Sequence, residues 1–140
     1  MQGLKRFLYL PTQQRWLIFQ VAVAILVVRL SLILFPLRTV RFFALSISWR
    51  SREIPSAHCI AGAIGSVARF VPGTTCLVQA LAAHALLIRH GYGPHLTIGV
   101  AKDECHQFEA HAWVTCENQV VIGDLRKENY SALLSLGPLL

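Results

Sequence analysis

The sequence predicts an α+β fold in which a helix packs on a small antiparallel sheet, preceded by an apolar helical N-terminal half. Three observations predict it. Apolar residues recur at helical spacing from residue 76 until Gly91, a residue suited to a left-handed helix cap. Beyond Gly91 the spacing changes to the alternation of strands. Before residue 54, long apolar runs are interrupted by single arginines and a few polar residues.

Length and composition limit the class of protein. A chain of 140 residues is long enough for one domain with a real core. Hydrophobic residues make up 54% and charged residues only 14%, which indicates a surface for a partner or contact with a membrane. We expect an apolar, basic helical region over residues 1–53 and a core over residues 54–140, which together form a single compact domain.

The net charge of +6 is concentrated in the N-terminal region. It favours an acidic peptide or anionic lipid headgroups as partners. A nucleic-acid partner is disfavoured, because the basic residues alternate with apolar runs and form no recognisable nucleic-acid-binding module. The basic residues before Glu53 are Lys5, Arg6, Arg15, Arg29, Arg38, Arg41, Arg50 and Arg52.

The first predicted helix spans residues 16–37, and Pro36 closes its apolar run. Polar residues and Arg29 interrupt that run, so the uninterrupted segment 21–28 is too short to cross a bilayer alone. Two interpretations stay open. In the first, the helix packs on the core or on a partner protein. In the second, it lies on or spans a membrane, and the side chain of Arg29 extends toward the lipid headgroups. A second helix or helix-turn is expected over residues 37–50.

Two further helices are expected in the second half of the chain. The first starts at Ile54 or Pro55, since proline is tolerated in a first turn, and it runs to Arg69 before a Val-Pro-Gly break. Thr74 or Thr75 can then cap the second helix.

This capped helix is predicted over residues 76–92, and three alternating segments follow it as strands. They are residues 96–100, 109–116 and 119–122, with Glu117-Asn118 as the turn of a hairpin between the last two. The second half of the chain is therefore predicted to be one helix against a small antiparallel sheet.

Three residue types that act together in acyl transfer occur in the order Cys76, His111, Asp124. Cys76 opens a helix, where unpaired backbone N–H groups and the positive end of the helix dipole favour a thiolate. His111 and Asp124 lie on or at the end of neighbouring strands, where the carboxylate can hold the imidazole tautomer. This arrangement is typical of papain-like and transglutaminase-like cysteine enzymes. The expected reaction is attack on an amide carbonyl through an acyl-thioester.

The oxyanion of that reaction needs two donors, and only one can be assigned. We expect it to be the backbone N–H of Cys76. Papain-like enzymes use a glutamine before the cysteine, but the stretch ARFVPGTT contains none, and Gln79 follows the cysteine by about one turn. A backbone N–H or Arg69 could serve as the second donor.

The cysteines indicate the compartment. The chain has four, with no Cys-x-x-Cys pair and no cleavable signal peptide, so we expect reduced thiols and a cytoplasmic location, with membrane association left open. No cofactor is expected. A zinc site is disfavoured, because two of its ligands would be adjacent and a third would be the base, His111. The ligands of such a zinc site would be Cys105, His106, His111 and Cys116. The other two cysteines of the chain are Cys59 and Cys76.

Four segments together carry a resemblance to a known family: CLVQALAAHALLIRHGY, LTIGV, FEAHAWV and VVIGD. They resemble the transglutaminase-like core of the B protein of lasso peptide biosynthesis, the leader peptidase of that pathway. The resemblance implies a transglutaminase-like or papain-like cysteine peptidase core, with Cys76 as nucleophile, His111 as base and Asp124 as the third member. It also implies that the substrate is a ribosomally made precursor peptide whose leader is removed.

The resemblance implies partners as well. Some members of that family carry a winged-helix leader-recognition domain, and the apolar region before Glu53 does not resemble one. We therefore expect the split form, which acts with a separate leader-recognition protein, before a macrolactam-forming cyclase closes the ring. The family implies a threonine near the cut, and Val71, Phe108 and Trp113 are the candidates for the wall of its pocket.

Two other functions stay open. An acyl transferase shares the first half of the reaction and differs only in whether an amine or water accepts the acyl group. A non-catalytic adaptor would dock the precursor and its processing enzymes through the apolar N-terminal half. An adaptor, however, has no physical need for all three of Cys76, His111 and Asp124.

Overall fold

The computed structural model of the protein describes residues 11–36, 54–102, 104–123 and 130–137. Within these ranges three helices precede a four-stranded antiparallel sheet, so the predicted α+β class is confirmed. The helix-turn predicted over residues 37–50 lies outside the described residues. The elements are α1 (Thr12–Leu34), α2 (Ala57–Ala68), α3 (Cys76–Arg89), β1 (His95–Lys102), β2 (Phe108–Cys116), β3 (Gln119–Ile122) and β4 (Ser131–Leu136).

Helix α1 starts earlier and ends earlier than the sequence predicts. The carbonyl of Pro11 accepts hydrogen bonds from the amides of Gln14 and Arg15, at 2.9 and 3.2 Å. At the other end Phe35 is extended, with φ −135°, because the helical region is disfavoured for a residue that precedes a proline. The helix therefore ends at Leu34 rather than at residue 37.

One face of α1 is buried and another is exposed. Val21, Ile25 and Val28 belong to the core that α1 shares with the other helices. By its length and its mean hydropathy of 2.6, α1 could cross a membrane, and 33% of its most apolar window is buried. The core helix of a soluble protein meets the same criteria, so membrane contact stays a prediction. The exposed apolar residues of this segment are Trp16, Phe19, Leu26, Leu30, Ile33, Leu34 and Phe35.

Helix α2 starts later than predicted, because Ser56 is its N-cap. The hydroxyl of Ser56 accepts a hydrogen bond from the amide of Cys59 at 3.2 Å. Pro55 therefore lies outside the helix, and the prediction of a start at Ile54 or Pro55 is wrong. The carbonyl of Pro55 accepts a hydrogen bond of 2.9 Å from the hydroxyl of Tyr92. This bond connects the start of α2 to the end of α3.

Helix α3 lies at the centre of the core. Between Val78 and Leu87 every residue except Gln79 is buried. The helix packs against α1 and α2 and also against β1 and β2. The helix ends at Arg89, so the predicted end at residue 92 is wrong. The predicted left-handed glycine does follow it: Gly91 has φ +88°, and its amide donates to the carbonyl of Ile88 at 3.0 Å.

The sheet has the strand order β3-β2-β1-β4, with antiparallel neighbours. In the pairing of β1 with β2, His111 lies opposite Gly99. The β2–β3 hairpin turns at Glu117 and Asn118, as predicted, with φ of +52° and +62°. Positive φ at both central residues matches the twist of the flanking strands.

Strand β4 has no counterpart among the predicted elements. Its sequence, SALLSL, does not alternate, and all of its residues except Leu136 are exposed. The strand forms by pairing with an edge of β1, where Leu136 lies opposite Leu96. Its structure therefore depends on a long-range contact rather than on its own pattern.

The two faces of the sheet have different neighbours. Ala112 and Val114 belong to the core that the helices form. Since successive side chains of a strand point to opposite faces, His111 and Trp113 lie on the face away from the helices.

Gly99→Ala should lower the free energy of unfolding by about 1–3 kcal/mol, the usual range for overpacking. A Cβ at this position would lie 2.8 Å from Cη2 of Trp113 and 3.1 Å from Cβ of Tyr130. Gly65→Ala is the control, because no atom lies within 4 Å of the added methyl group. Alanine there should stabilise α2 by about 0.5–1 kcal/mol. Urea unfolding measures both, and unchanged stability of Gly99→Ala would contradict this packing of Trp113.

Candidate active site

Cys76 is the first residue of α3, and its free thiol is half-buried. Thr75 is the N-cap: its hydroxyl accepts from the amide of Val78 at 3.4 Å, and its carbonyl accepts from the amide of Gln79 at 3.1 Å. Among the described residues, the amides of Val78 and Gln79 are therefore bonded to the N-cap residue. The amides of Cys76 and Leu77 remain available at the start of the helix, where they could stabilise an oxyanion.

Arg29, from the middle of α1, holds the segment that leads into this cap. Its Nη1 donates a hydrogen bond to the carbonyl of Pro72. Gly73, with φ +74°, lets the chain pass close to the guanidinium, because a Cβ there would lie 2.8 Å from Nη2 of Arg29. Thr74 then donates to the carbonyl of Val71 at 2.8 Å. The arginine that interrupts the apolar helix therefore contacts the loop directly before Cys76.

The sequence pattern marks Arg29 only as an interruption of an apolar helix, whereas in the structure it bonds to the loop before Cys76. The signal was present, because a cation in apolar surroundings needs a partner. The partner itself, a backbone carbonyl 43 residues further along the chain, has no sequence signature.

His111 lies half-buried in β2 within a cluster of aromatic rings. Its ring centroid is 6.4 Å from that of Trp113 and 5.6 Å from that of Tyr130. The Trp113 and Tyr130 centroids are 6.1 Å apart. Tyr130 is not among the residues that the sequence predicts for the site, because it precedes β4, the strand that the pattern does not predict.

The order of the elements predicts that Cys76 and His111 lie toward the same end of the fold. Helix α3 is followed by a short turn over residues 90–94, and both β1 and β2 pack against the helix. If β1 runs back along the helix, the first half of its antiparallel neighbour β2 comes near the start of α3. The thiol belongs to the helix layer and the imidazole to the other face of the sheet, so a direct contact between them stays a prediction.

Asp124 lies outside the described residues, so its role as the third member of the triad stays a prediction. Gly123, which follows β3, packs directly against Trp113. It has φ +106°, and a Cβ there would lie 2.5 Å from Cβ of Trp113. The chain therefore passes beside the aromatic cluster of His111 immediately before it reaches Asp124.

The three candidate wall residues have different surroundings. Trp113 is only 7% exposed and packs within the aromatic cluster. Val71 is half-buried against the core. Phe108, at the start of β2, is 74% exposed, and Nζ of Lys102 lies 5.3 Å from its ring centroid. Phe108 thus offers the largest accessible surface of the three, and their role in substrate binding stays a prediction.

The remaining cysteines lie in separate environments. Burial, and next the charge of Glu117, raise the pKa of the Cys116 thiol, while a hydrogen bond with the backbone of Gly93 lowers it. The net direction is upward, so this thiol is neutral. Cys59 and Cys105 are exposed free thiols. Among the described residues, no three His, Cys, Asp or Glu side chains are close enough to hold a metal ion.

Comparison with known families agrees with this architecture. The family model described as "Transglutaminase-like superfamily" matches residues 17–135, which take in most of α1 and nearly all of β4. The chain belongs to the transglutaminase-like superfamily. No curated protein and no solved structure matches it.

Members of the transglutaminase-like superfamily typically have a cysteine-protease-like catalytic fold. The superfamily includes both cysteine peptidases and acyltransferases. Membership therefore agrees with the transglutaminase-like core that the sequence predicts.

Arg29→Ala should lower the free energy of unfolding by about 1.5–3 kcal/mol, because it removes a hydrogen bond from a charged donor and frees the loop before Cys76. The loosened loop should also change the rate at which iodoacetamide alkylates Cys76. Arg29→Lys should recover part of both effects, since an ammonium can still donate one bond. Urea unfolding and mass spectrometry of the alkylated protein measure these effects.

The matched control is Arg15→Ala, which removes an arginine from the first turn of the same helix, away from the loop before Cys76. We expect it to leave the rate of Cys76 alkylation near its wild-type value. Wild-type stability and alkylation in Arg29→Ala would show that the contact with Pro72 does not position the site.

Proposed function

We propose that this protein is a cysteine peptidase that cuts a ribosomally made precursor peptide, with Cys76 as nucleophile, His111 as general base and Asp124 as orienting carboxylate. The position of Cys76 carries the proposal. It is the first residue of a capped helix in a transglutaminase-like chain, and two backbone amides of the first turn lie beside it. Because α3 is buried beyond this turn, its start is where a substrate can meet both the thiol and the amides.

In the proposed reaction His111 takes the proton of the Cys76 thiol, and the sulfur attacks the carbonyl carbon of the scissile amide. Negative charge develops on the carbonyl oxygen, to which the amides of Cys76 and Leu77 can donate. The C–N bond then breaks, and the imidazolium gives its proton to the leaving amine. Finally the imidazole deprotonates a water molecule, which attacks the acyl-thioester, releases the second fragment and restores the thiol.

The mechanism requires the imidazole of His111 to approach the sulfur of Cys76 to within about 2.6–3.2 Å. The common end that the order of the elements predicts for α3 and β2 supports this requirement. Because the two side chains lie in different layers, the proposal requires peptide binding to bring the imidazole and the thiol together.

The substrate that we propose is a lasso precursor peptide presented by a separate leader-recognition protein, with the cut core passing to a macrolactam-forming cyclase. The combined motifs around Cys76, His111 and Asp124 support it, because they resemble those of lasso leader peptidases. The net charge of +6 suits an acidic leader. The exposed apolar side of α1 supplies a surface for such a partner or for membrane contact in the cytoplasm.

Acyl transfer is the second candidate, because the superfamily includes acyltransferases. Both reactions share the acyl-thioester on Cys76 and differ in the acceptor, which is water in one and an amine in the other.

Mass spectrometry of a candidate precursor peptide tests the proposal. The peptide is incubated with the protein and its leader-binding partner, and the wild type is compared with Cys76→Ala. We expect separate leader and core fragments with the wild type only, and Cys105→Ala, which removes an exposed thiol, should cut like the wild type. An unchanged precursor would contradict cleavage of that peptide, and an amine adduct would instead support acyl transfer.

His111→Ala should lower the rate of cleavage by about 10²–10⁴-fold, the usual contribution of a general base. Imidazole added to the buffer should restore part of the lost rate, an effect that a merely structural histidine would not show. His106→Ala is the control, because His106 is exposed in the loop between β1 and β2. Cleavage at the wild-type rate by His111→Ala would exclude His111 as the base.

A further inference from the structure

A cavity of about 530 Å³ lies at the end of the helix layer away from Cys76. It is formed by the first turns of α1, the segment before α2, the first turn of α2 and the residue that follows α3. Its volume is within the range of small-molecule and peptide side-chain pockets, about 300–1,000 Å³. The lining residues are Thr12, Gln13, Gln14, Trp16, Leu17, Gln20, Ile54, Pro55, Cys59 and His90.

Two polar atoms in the lining are buried without a hydrogen-bond partner among the described residues. One is Nε2 of Gln20, a residue that is only 6% exposed, and the other is Nε2 of His90. Buried polar atoms are almost always paired, so these two atoms of the lining are the ones that can bond to a molecule in the cavity. Burial, and next the charge of Arg89, lower the pKa of His90, so its imidazole is neutral at neutral pH and can accept or donate one bond at Nε2.

The chemistry of the cavity limits what can fill it. The carboxamide nitrogen of Gln20 donates, so it needs a carbonyl oxygen. The neutral imidazole of His90 can accept from an N–H. Apolar walls, which include Trp16, Ile54 and Pro55, suit an aliphatic side chain rather than a charged one. A peptide unit with an apolar side chain provides the carbonyl, the N–H and the apolar group together.

We propose that this cavity binds an apolar residue of the peptide substrate, with Gln20 donating to the backbone carbonyl and His90 accepting from the backbone N–H. The proposal deepens the proposed peptidase function and rests on it for the identity of the peptide. Helix α3, which separates Cys76 from His90, has 14 residues and is therefore about 21 Å long. An extended chain covers that distance with about six residues, so the bound residue lies about six positions from the bond that is cut.

Alkylation of Cys59 measures occupancy without any catalysis. Cys59 is an exposed thiol that lines the cavity, and Cys105 is an exposed thiol that does not. Full-length Cys76→Ala protein is treated with iodoacetamide with and without the blocked dipeptide acetyl-leucyl-leucinamide, and each site is followed by mass spectrometry. We expect the dipeptide to slow alkylation of Cys59 several-fold and to leave Cys105 unchanged.

Gln20→Leu in the same protein tests the polar contact. It replaces an unpaired buried amide with an apolar group of similar size, so the fold should be retained, which thermal unfolding checks. Protection of Cys59 should then be lost, while Gln119→Leu, an exposed glutamine on β3, should retain it. No protection in the parent protein, or equal protection in Gln20→Leu, would overturn the proposal.

The two proposals fail separately. Protection of Cys59 combined with an uncut precursor would reject the peptidase and retain a peptide-binding cavity. Cleavage of the precursor without protection of Cys59 would reject the cavity alone.

Discussion

The rest of the structure depends on the burial of α3. From Val78 to Leu87 all of its side chains except that of Gln79 are covered by the other helices and by the sheet, which leaves the two ends of the helix for contact with a substrate. Amides inside a helix are already bonded, whereas those of the first turn are not. The start of α3 therefore combines the thiol of Cys76 with available N–H groups. Its other end places His90 in the wall of a cavity.

Helix α1 contributes residues near both ends of α3. Val21 and Ile25 join the same core as α3, Arg29 contacts the loop before Cys76, and Gln20 lines the cavity. The match to the transglutaminase-like superfamily also begins within α1. Arg29, the charge that makes a membrane span less favourable, thus has a hydrogen-bond partner within the protein, the carbonyl of Pro72. The exposed apolar side of the helix still needs a cover, which a partner or a membrane would provide.

Superfamily membership points to acyl-thioester chemistry but leaves the acceptor of the acyl group open. A thiol at a helix start can form an acyl-thioester, but whether water or an amine accepts the acyl group depends on access to that intermediate. Function must therefore be argued from the site. The aromatic neighbours of His111, which are Trp113 and Tyr130, limit the positions that its imidazole can take.

Local sequence is sufficient for the features that depend on nearest neighbours: the α+β class, the start of a capped helix at Cys76, and the glycine cap at Gly91. Caps and turns are set by backbone preferences within about four residues, so a local pattern is enough. The pairing of β4 with β1, the bond from Arg29 to the loop before Cys76, and the position of His111 on the face away from the helices arise only when the chain has folded. Alternation shows which side chains of a strand share a face. Which face meets the helices depends on contacts between distant parts of the chain, and local spacing does not encode those contacts.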